Sequence, residues 1–372
     1  MKIGILTLPL ETNYGGILQA FALQKVLRGM GHDVITIDRH GRREYPSALI
    51  HVAGYVKRLL FYFLLRKDVS IKWDPFESDE QYKIRSRKTQ SFINRNILLT
   101  RFIYPEQLVE IDKEYGFDAY VVGSDQVWLS YYCPDSFLDF VTRPDVKKVV
   151  YAASCGKHSF FNNTRLLKKC SQLAKEFVGI SVREDYLVRR CLNKMHIDAQ
   201  WVLDPTLLLD PSDYLSVVEG ETDNEAVVFS YILDETANKW RMVNTVSKSL
   251  SIPYVNGNFS CDSTDGPEYP SVEGWIQNIN RAEFVITDSF HGTVFAILFN
   301  KPFISLVNAS RGKKRFESLL RCFHLENRLI SEKDFNKIEA LLNSPIDFDS
   351  VNSILTKKRE KSMQFLLGCL IE

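Results

Sequence analysis

The sequence predicts an α/β protein of two Rossmann-like lobes, each a mainly parallel sheet covered by helices, with a cleft between them. Three observations carry this expectation. A strand–loop–helix–strand unit opens the chain. The same alternation runs to about residue 203, breaks, and restarts near residue 226. The 372 residues, 45% apolar and 25% charged, are enough for two ordinary globular domains. That composition excludes a disordered, collagen-like or multispanning membrane chain. Lys+Arg is 47 against 46 Asp+Glu, a net charge of +1, so no nucleic-acid partner is expected.

The first strand is the β-branched and aliphatic run from Ile3, too short and too weakly flanked for a secretory signal. A polar loop, Glu11–Gly16, leads into a helix over Ile17–Met30, and Gly31 stops it. Val34–Ile37 is the second strand, which a right-handed crossover makes parallel to the first. Further strands are expected at Ala119–Val122, Lys148–Ala153, Val178–Val182 and Gln200–Leu203, with helices at Thr164–Phe177 and Asp185–Met195. Pro205, Pro211 and the acidic Glu219–Asp223 stretch read as an interdomain linker. The alternation resumes with strands at Ala226–Ile232, Pro253–Val255, Phe284–Asp288 and Phe303–Val307, and helices at Thr236–Leu250, Val272–Asn280 and Thr293–Phe299. The amphipathic Val351–Leu370 closes the chain. The expected division is a first lobe over 1–210, a second over 211–350, and a helix in 351–372 returning to the first lobe.

The first lobe carries a basic apolar insert over 39–101. Between Arg39 and Lys67, the seven bases Arg39, Arg42, Arg43, Lys57, Arg58, Arg66 and Lys67 face a single acid, Glu44. On a helix, His51, Tyr55, Arg58, Tyr62 and Arg66 form one stripe amid Leu, Val and Phe. Lys57 and Arg58 interrupt the run too centrally for a membrane span, whereas a basic amphipathic helix suits an anionic membrane surface. A core helix packed on the sheet shares this pattern.

Seven scattered cysteines, without a C-x-x-C, point to reduced thiols in a cytoplasmic protein, with neither disulfides nor a zinc site. No Walker A, H-E-x-x-H or G-x-S-x-G is present, and no metal is expected. Asp347-Phe-Asp349 reads as a chance D-x-D.

Three loops follow predicted strands, where open α/β sheets bind ligands. Asn13-Tyr14-Gly15-Gly16 opens a helix and lets a ligand approach the backbone, or is a plain tight turn. In Gly123-Ser124-Asp125-Gln126-Val127-Trp128, Asp125 suits deprotonation of a sugar hydroxyl, and Gln126 and Trp128 suit sugar binding and stacking. The alternative is a capping Asp with a core Trp. In Asp288-Ser289-Phe290-His291-Gly292 a strand end, a hydroxyl, an imidazole and helix N–H groups converge, as a phosphate or carboxylate site with an acid/base attached requires. A buried structural histidine is the alternative. Arg183, just past a strand, and the Arg311–Arg315 run are basic groups able to complete an anion site.

In this order, Asn13–Gly16 with Leu18–Gln24, Val122–Trp128, Ser181–Glu184, Val202–Thr206 and Thr287–Thr293 resemble the polysaccharide pyruvyl transferase family, from about the first strand to Arg328. The resemblance implies a GT-B-like fold, phosphoenolpyruvate as donor with no cofactor, and a cyclic pyruvate ketal on a sugar of a capsular, exopolysaccharide or other envelope glycan. The family's catalytic histidine falls on His291, and its donor arginines on Arg183 and one of Arg311 or Arg315. Some members carry an arginine where this chain has Ser289, which shifts phosphate binding toward Arg311, Lys313 or Arg315. Asp288, Ser289 and Gly292 complete the expected donor side. Asn13, Tyr14, Gly15, Gly16, Ser124, Gln126 and Trp128 form the acceptor side, with Asp125 as base. A lipid-linked acceptor would fit an insert, residues 39–67, held at the inner membrane face. A GT-B glycosyltransferase with a nucleotide-sugar donor, or a non-catalytic glycan-binding protein, shares many of these features.

Overall fold

The computed structural model describes residues 1–41, 56, 59, 79–156, 159–218, 225–258, 270–308 and 312–371. Strand β1 (Lys2–Leu6) leads to helix α1 (Tyr14–Gly29) and β2 (Asp33–Thr36). The helix starts three residues before the apolar period announces it, because the Asn13 side chain accepts from the Gly16 N–H and caps it. It ends at Met30, where Gly31 takes φ +86°, a conformation that costs glycine nothing. Helices α2 (Asp79–Asn96) and α3 (Leu108–Tyr115) precede β3 (Ala119–Val122) and β4 (Lys147–Ala153). Then come α4 (Thr164–Leu173), β5 (Gly179–Val182), α5 (Asp185–Met195), β6 (Gln200–Trp201) and the short α6 (Pro211–Leu215).

These six strands form one parallel sheet in the order β2-β1-β3-β4-β5-β6. Every residue of β3 is buried, as a strand covered by helices on both faces must be. Strand β6 stops at Trp201, short of the expected Leu203, because the Leu203 N–H turns to the Ser362 hydroxyl at 3.0 Å.

The second half repeats the plan with β7 (Val227–Tyr231), α7 (Ala237–Leu250), β8 (Tyr254–Asn256), α8 (Val272–Arg281), β9 (Ala282–Thr287), α9 (Phe290–Leu298) and β10 (Phe303–Leu306). Helix α10 (Lys314–Cys322), β11 (Leu329–Ile330), α11 (Ile338–Leu342) and α12 (Phe348–Leu370) follow. The second parallel sheet runs β11-β10-β9-β7-β8. In both sheets the strand order reverses beside a central strand, at β1/β3 and at β7/β9. The loops after these strands open the crevices where such sheets take ligands.

The lobes are not separate bodies. One apolar core includes Ile3 and Leu18 of the first, Trp275 and Phe295 of the second, and Leu366 of α12. The Tyr14 ring stacks on Trp275 with centroids 5.6 Å apart, and its hydroxyl donates to the Pro270 carbonyl at 2.7 Å. Helix α12 lies back on the first sheet, with Phe365 beside Tyr151.

Of the insert, α2 is described, and its Arg95 pairs with Glu273 of α8 at 2.5 Å. Arg39, counted with the basic surface, belongs to the interior. It is buried, pairs with Asp135 at 3.3 Å, donates to the Thr7 carbonyl and stacks on Tyr132. The amphipathic stripe from His51 to Arg66 lies outside the described residues. Among the described residues no helix is long and apolar enough to cross a membrane.

Candidate active site

His291 lies in the first turn of α9, which Ser289 caps by accepting from the Gly292 N–H at 3.3 Å. Its imidazole reaches across to the first lobe and rests on the backbone of Gly15 in the first turn of α1. A methyl group at Gly15 would overlap the ring at Nδ1. Two of the three ligand loops thus meet at one contact between lobes. The ring is buried, and its Nε2 has no hydrogen-bond partner. Asp204 Oδ2 is 3.7 Å away, within ion-pair range and beyond hydrogen-bond reach.

The third loop and the end of β5 supply a buried ionic cluster beside this histidine. Arg183 donates to Asp204 Oδ2 at 2.6 Å and to Asp125 Oδ1 at 3.0 Å, and its Nε is 3.7 Å from Glu184. The guanidinium also lies over the Phe290 ring, 4.2 Å from its centroid, so the residue before His291 forms one wall of the Arg183 slot. Asp204 is fixed in turn by the Thr206 hydroxyl at 2.6 Å. Asp125 sits at φ +67°, left-handed backbone that aspartate tolerates better than most residues.

Burial opposes charge on every member, and the balance between burial and pairing decides each case. For Asp125, desolvation is outweighed by Arg183, His291 and Arg315, which hold its carboxyl below the ordinary carboxylate range. Asp204 is likewise held well below it, by Arg183 and His291 against burial. Arg183 is desolvated, yet the three carboxylates raise its proton affinity above that of a free arginine. Glu184 goes the other way. Burial pushes it up to about 7, and Arg183, the 2.5 Å hydrogen bond from Ser154 and Arg315 offset this only in part. Its Oε2 is buried without a partner.

The sequence profile described as "Polysaccharide pyruvyl transferase" matches residues 13–310, a span that contains Gly15, Asp125, Arg183, Asp204 and His291. The chain belongs to the polysaccharide pyruvyl transferase family. No curated protein sequence matches it significantly. Among solved structures it is similar to UDP-GlcNAc 2-epimerase from Neisseria meningitidis bound to UDP-GlcNAc (10% identity, TM-score 0.57, 99% of this chain and 100% of that one). The 2-epimerase from Methanocaldococcus jannaschii gives 10% identity and a TM-score of 0.51 over 93% of both chains. An S. aureus MnaA–UDP structure gives 12% and 0.52 over 100% of this chain and 98% of that one. The architecture is GT-B-like.

In the fold, several of the expected ligand residues make structural contacts. Trp128 is fully buried and stacks on Phe137 at 5.6 Å, so it offers no face to a sugar. Tyr14 is spent on the Pro270 and Trp275 contacts between lobes. Ser124 is buried and donates to Gln19 Oε1 at 2.9 Å, while Asn13 caps α1 and Gly16 supplies the capped N–H. Asp288 accepts from the Leu233 and Asp234 N–H groups, Lys239 Nζ at 2.7 Å and Asn308 at 3.0 Å, contacts that occupy its oxygens and tie the β7 and β9 loops together. Ser289 and Gly292 form the α9 cap. Lys313 points outward to Glu317 at 2.8 Å, away from the cluster. Arg311 lies outside the described residues. Arg315, whose charge reaches Asp125 and Glu184, is the described member of that basic run beside the site. Gln126 is half-buried, packed over Gly156.

Glu184, Asp204, Ser154 and Phe290 were not singled out from the sequence. Glu184 and Asp204 nevertheless lay inside recognised segments, directly after strands, and that position was their signal. Among the described residues no group of His, Cys, Asp and Glu is arranged to hold a metal ion.

Proposed function

We propose that the protein transfers the enolpyruvyl group of phosphoenolpyruvate to two hydroxyls of a sugar, forming a cyclic pyruvate ketal during envelope-glycan synthesis. The observation that carries this reading is the unpartnered His291 Nε2 at the contact between lobes, beside a buried Arg–carboxylate cluster, in a member of this family. Phosphoenolpyruvate would lie with its phosphate toward Arg315 and the first turn of α9. Arg183, held by Asp125 and Asp204, is assigned a positioning role.

The chemistry then runs in three steps. The methylene carbon gains a proton, assigned to Glu184, the carboxyl of the cluster able to retain one near neutrality. The first sugar hydroxyl forms a C–O bond to C2 and gives its proton to Asp125 or His291. The C2–O bond to phosphate breaks with the electron pair on phosphate, which His291 protonates, and the second hydroxyl closes the ring and releases its proton. The sum is one phosphate released per ketal formed. Fixed charges aimed at the leaving phosphate are the main source of rate.

Thermal shift of the purified protein tests the donor. Phosphoenolpyruvate at ~100 times its dissociation constant adds ~2.7 kcal/mol, and this shift is expected to vanish in Arg315→Ala. A shift with a nucleotide sugar and none with phosphoenolpyruvate would replace this reading by a nucleotide-sugar transferase. The acceptor is sought by sugar-dependent phosphate release, and the lipid surface by flotation with anionic vesicles, where Lys57→Glu with Arg58→Glu is expected to abolish binding.

A further inference from the structure

Outside the cluster, a pocket of about 410 Å³ opens where both lobes and α12 meet. Its floor includes Trp201 of the first lobe, Cys322 of the second and Ile354 of α12; Lys357, Lys358 and Lys361 stand on its rim. Lys358 lies over the Trp201 ring, 4.0 Å from its centroid. None of the three lysines has an acidic partner among the described residues. The acid lining the pocket, Asp185, is already taken by Arg321 at 2.5 Å, a pair that joins α5 to α10.

We propose that this pocket is a second ligand site, for a small, multiply charged phosphate ester with an apolar or ring-shaped body. The volume is that of a small-molecule site. Three lysines without counter-charge favour several anionic oxygens, and the apolar floor favours a ligand that brings more than charge. The site also touches the catalytic cluster. Trp201 Nε1 donates to the Arg183 carbonyl at 3.1 Å, and Asp185 follows Glu184 in the chain. A ligand seated here would contact both lobes and α12 at once.

Calorimetric titration of the full chain with ATP, inorganic tripolyphosphate and adenosine tests the proposal. ATP is expected to bind, tripolyphosphate more weakly, and adenosine not at all. In Lys357→Glu with Lys361→Glu, both at exposed helical positions, ATP affinity is expected to fall at least tenfold, about 1.4 kcal/mol. In His291→Ala it is expected to stay unchanged. ATP binding that survives the double lysine change, or disappears with His291, would overturn the assignment. Tripolyphosphate binding as tightly as ATP would remove the apolar body from it. Capture by anionic vesicles with no binding of either phosphate compound would replace the small ligand by a membrane surface. These readouts need no turnover, so they stand or fall apart from the pyruvyl transfer.

Discussion

The missing side chain at Gly15 determines where the His291 imidazole can lie. Gly15→Ala is expected to push the ring off the first lobe and lower turnover by about 10²-fold, since a displacement near 1 Å is enough for that. His291→Ala should abolish turnover with the fold intact. With the ring gone, Gly15→Ala should cost far less stability than it does alone. The coupling in urea denaturation is expected at about 0.5–3 kcal/mol, and simple additivity would show that the two residues do not touch. Glu184 adds a pH signature. Its folded value, about 7, lies above its ordinary 4.5, so the folded state binds the extra proton. Stability from this group is complete below 4.5 and is lost as pH rises through 7. Glu184→Gln should therefore flatten the loss of stability between pH 4.5 and 7, and unchanged curves would count against the buried site. The sequence made His291, Arg183 and Asp125 legible because each sits in a motif at a strand end. It did not separate Trp128, Ser124 and Asp288 from ligands, because a buried polar anchor and a binding residue use the same side chains in the same loops.

At the scale of elements, α12 acts as a strap. Arg359 donates to the Leu207 carbonyl at 2.5 Å and to the Leu209 carbonyl, and pairs with Asp210 at 2.6 Å. These contacts fix the segment between the two sheets. Arg359→Ala is expected to cost about 1.5–3 kcal/mol in urea denaturation, the range for hydrogen bonds to a charged group. The sequence showed α12 but placed its start at Val351, whereas Asp347 caps it by accepting from the Ser350 N–H at 3.1 Å, which also accounts for half of the D-x-D pair. Strand β3 and helix α5 fall at the expected limits because their boundaries coincide with clear apolar and polar edges. Helices α2, α3, α10 and α11 lie outside the expected elements, and so does α6, which falls in the stretch read as an interdomain linker. Of these, α2 is mostly polar, burying Ser86 and Thr89 beside Phe92 and Ile93, so its apolar period is weak.

At the scale of the whole molecule, the two sheets share a core, and Tyr14, Arg95 and Asp185 each bind across from the first lobe to the second. The expected outcome is one unfolding transition, with tryptophan fluorescence and far-ultraviolet circular dichroism giving coincident curves in urea. Two separated transitions would show that the lobes fold on their own. The doubling of the α/β plan was readable from the alternation of the sequence. The shared core was not, because residues such as Tyr14 and Trp275 pair across 261 positions of chain, and no local pattern records that.

The contact of His291 with Gly15 also bears on how such a gene can change. A recombination event that exchanged one lobe for that of a relative would inherit the imidazole without the surface cut to receive it, or that surface without the imidazole. Phe290 and Arg183 are bound by the same condition. The unit that has to be inherited together is therefore the pair of lobes.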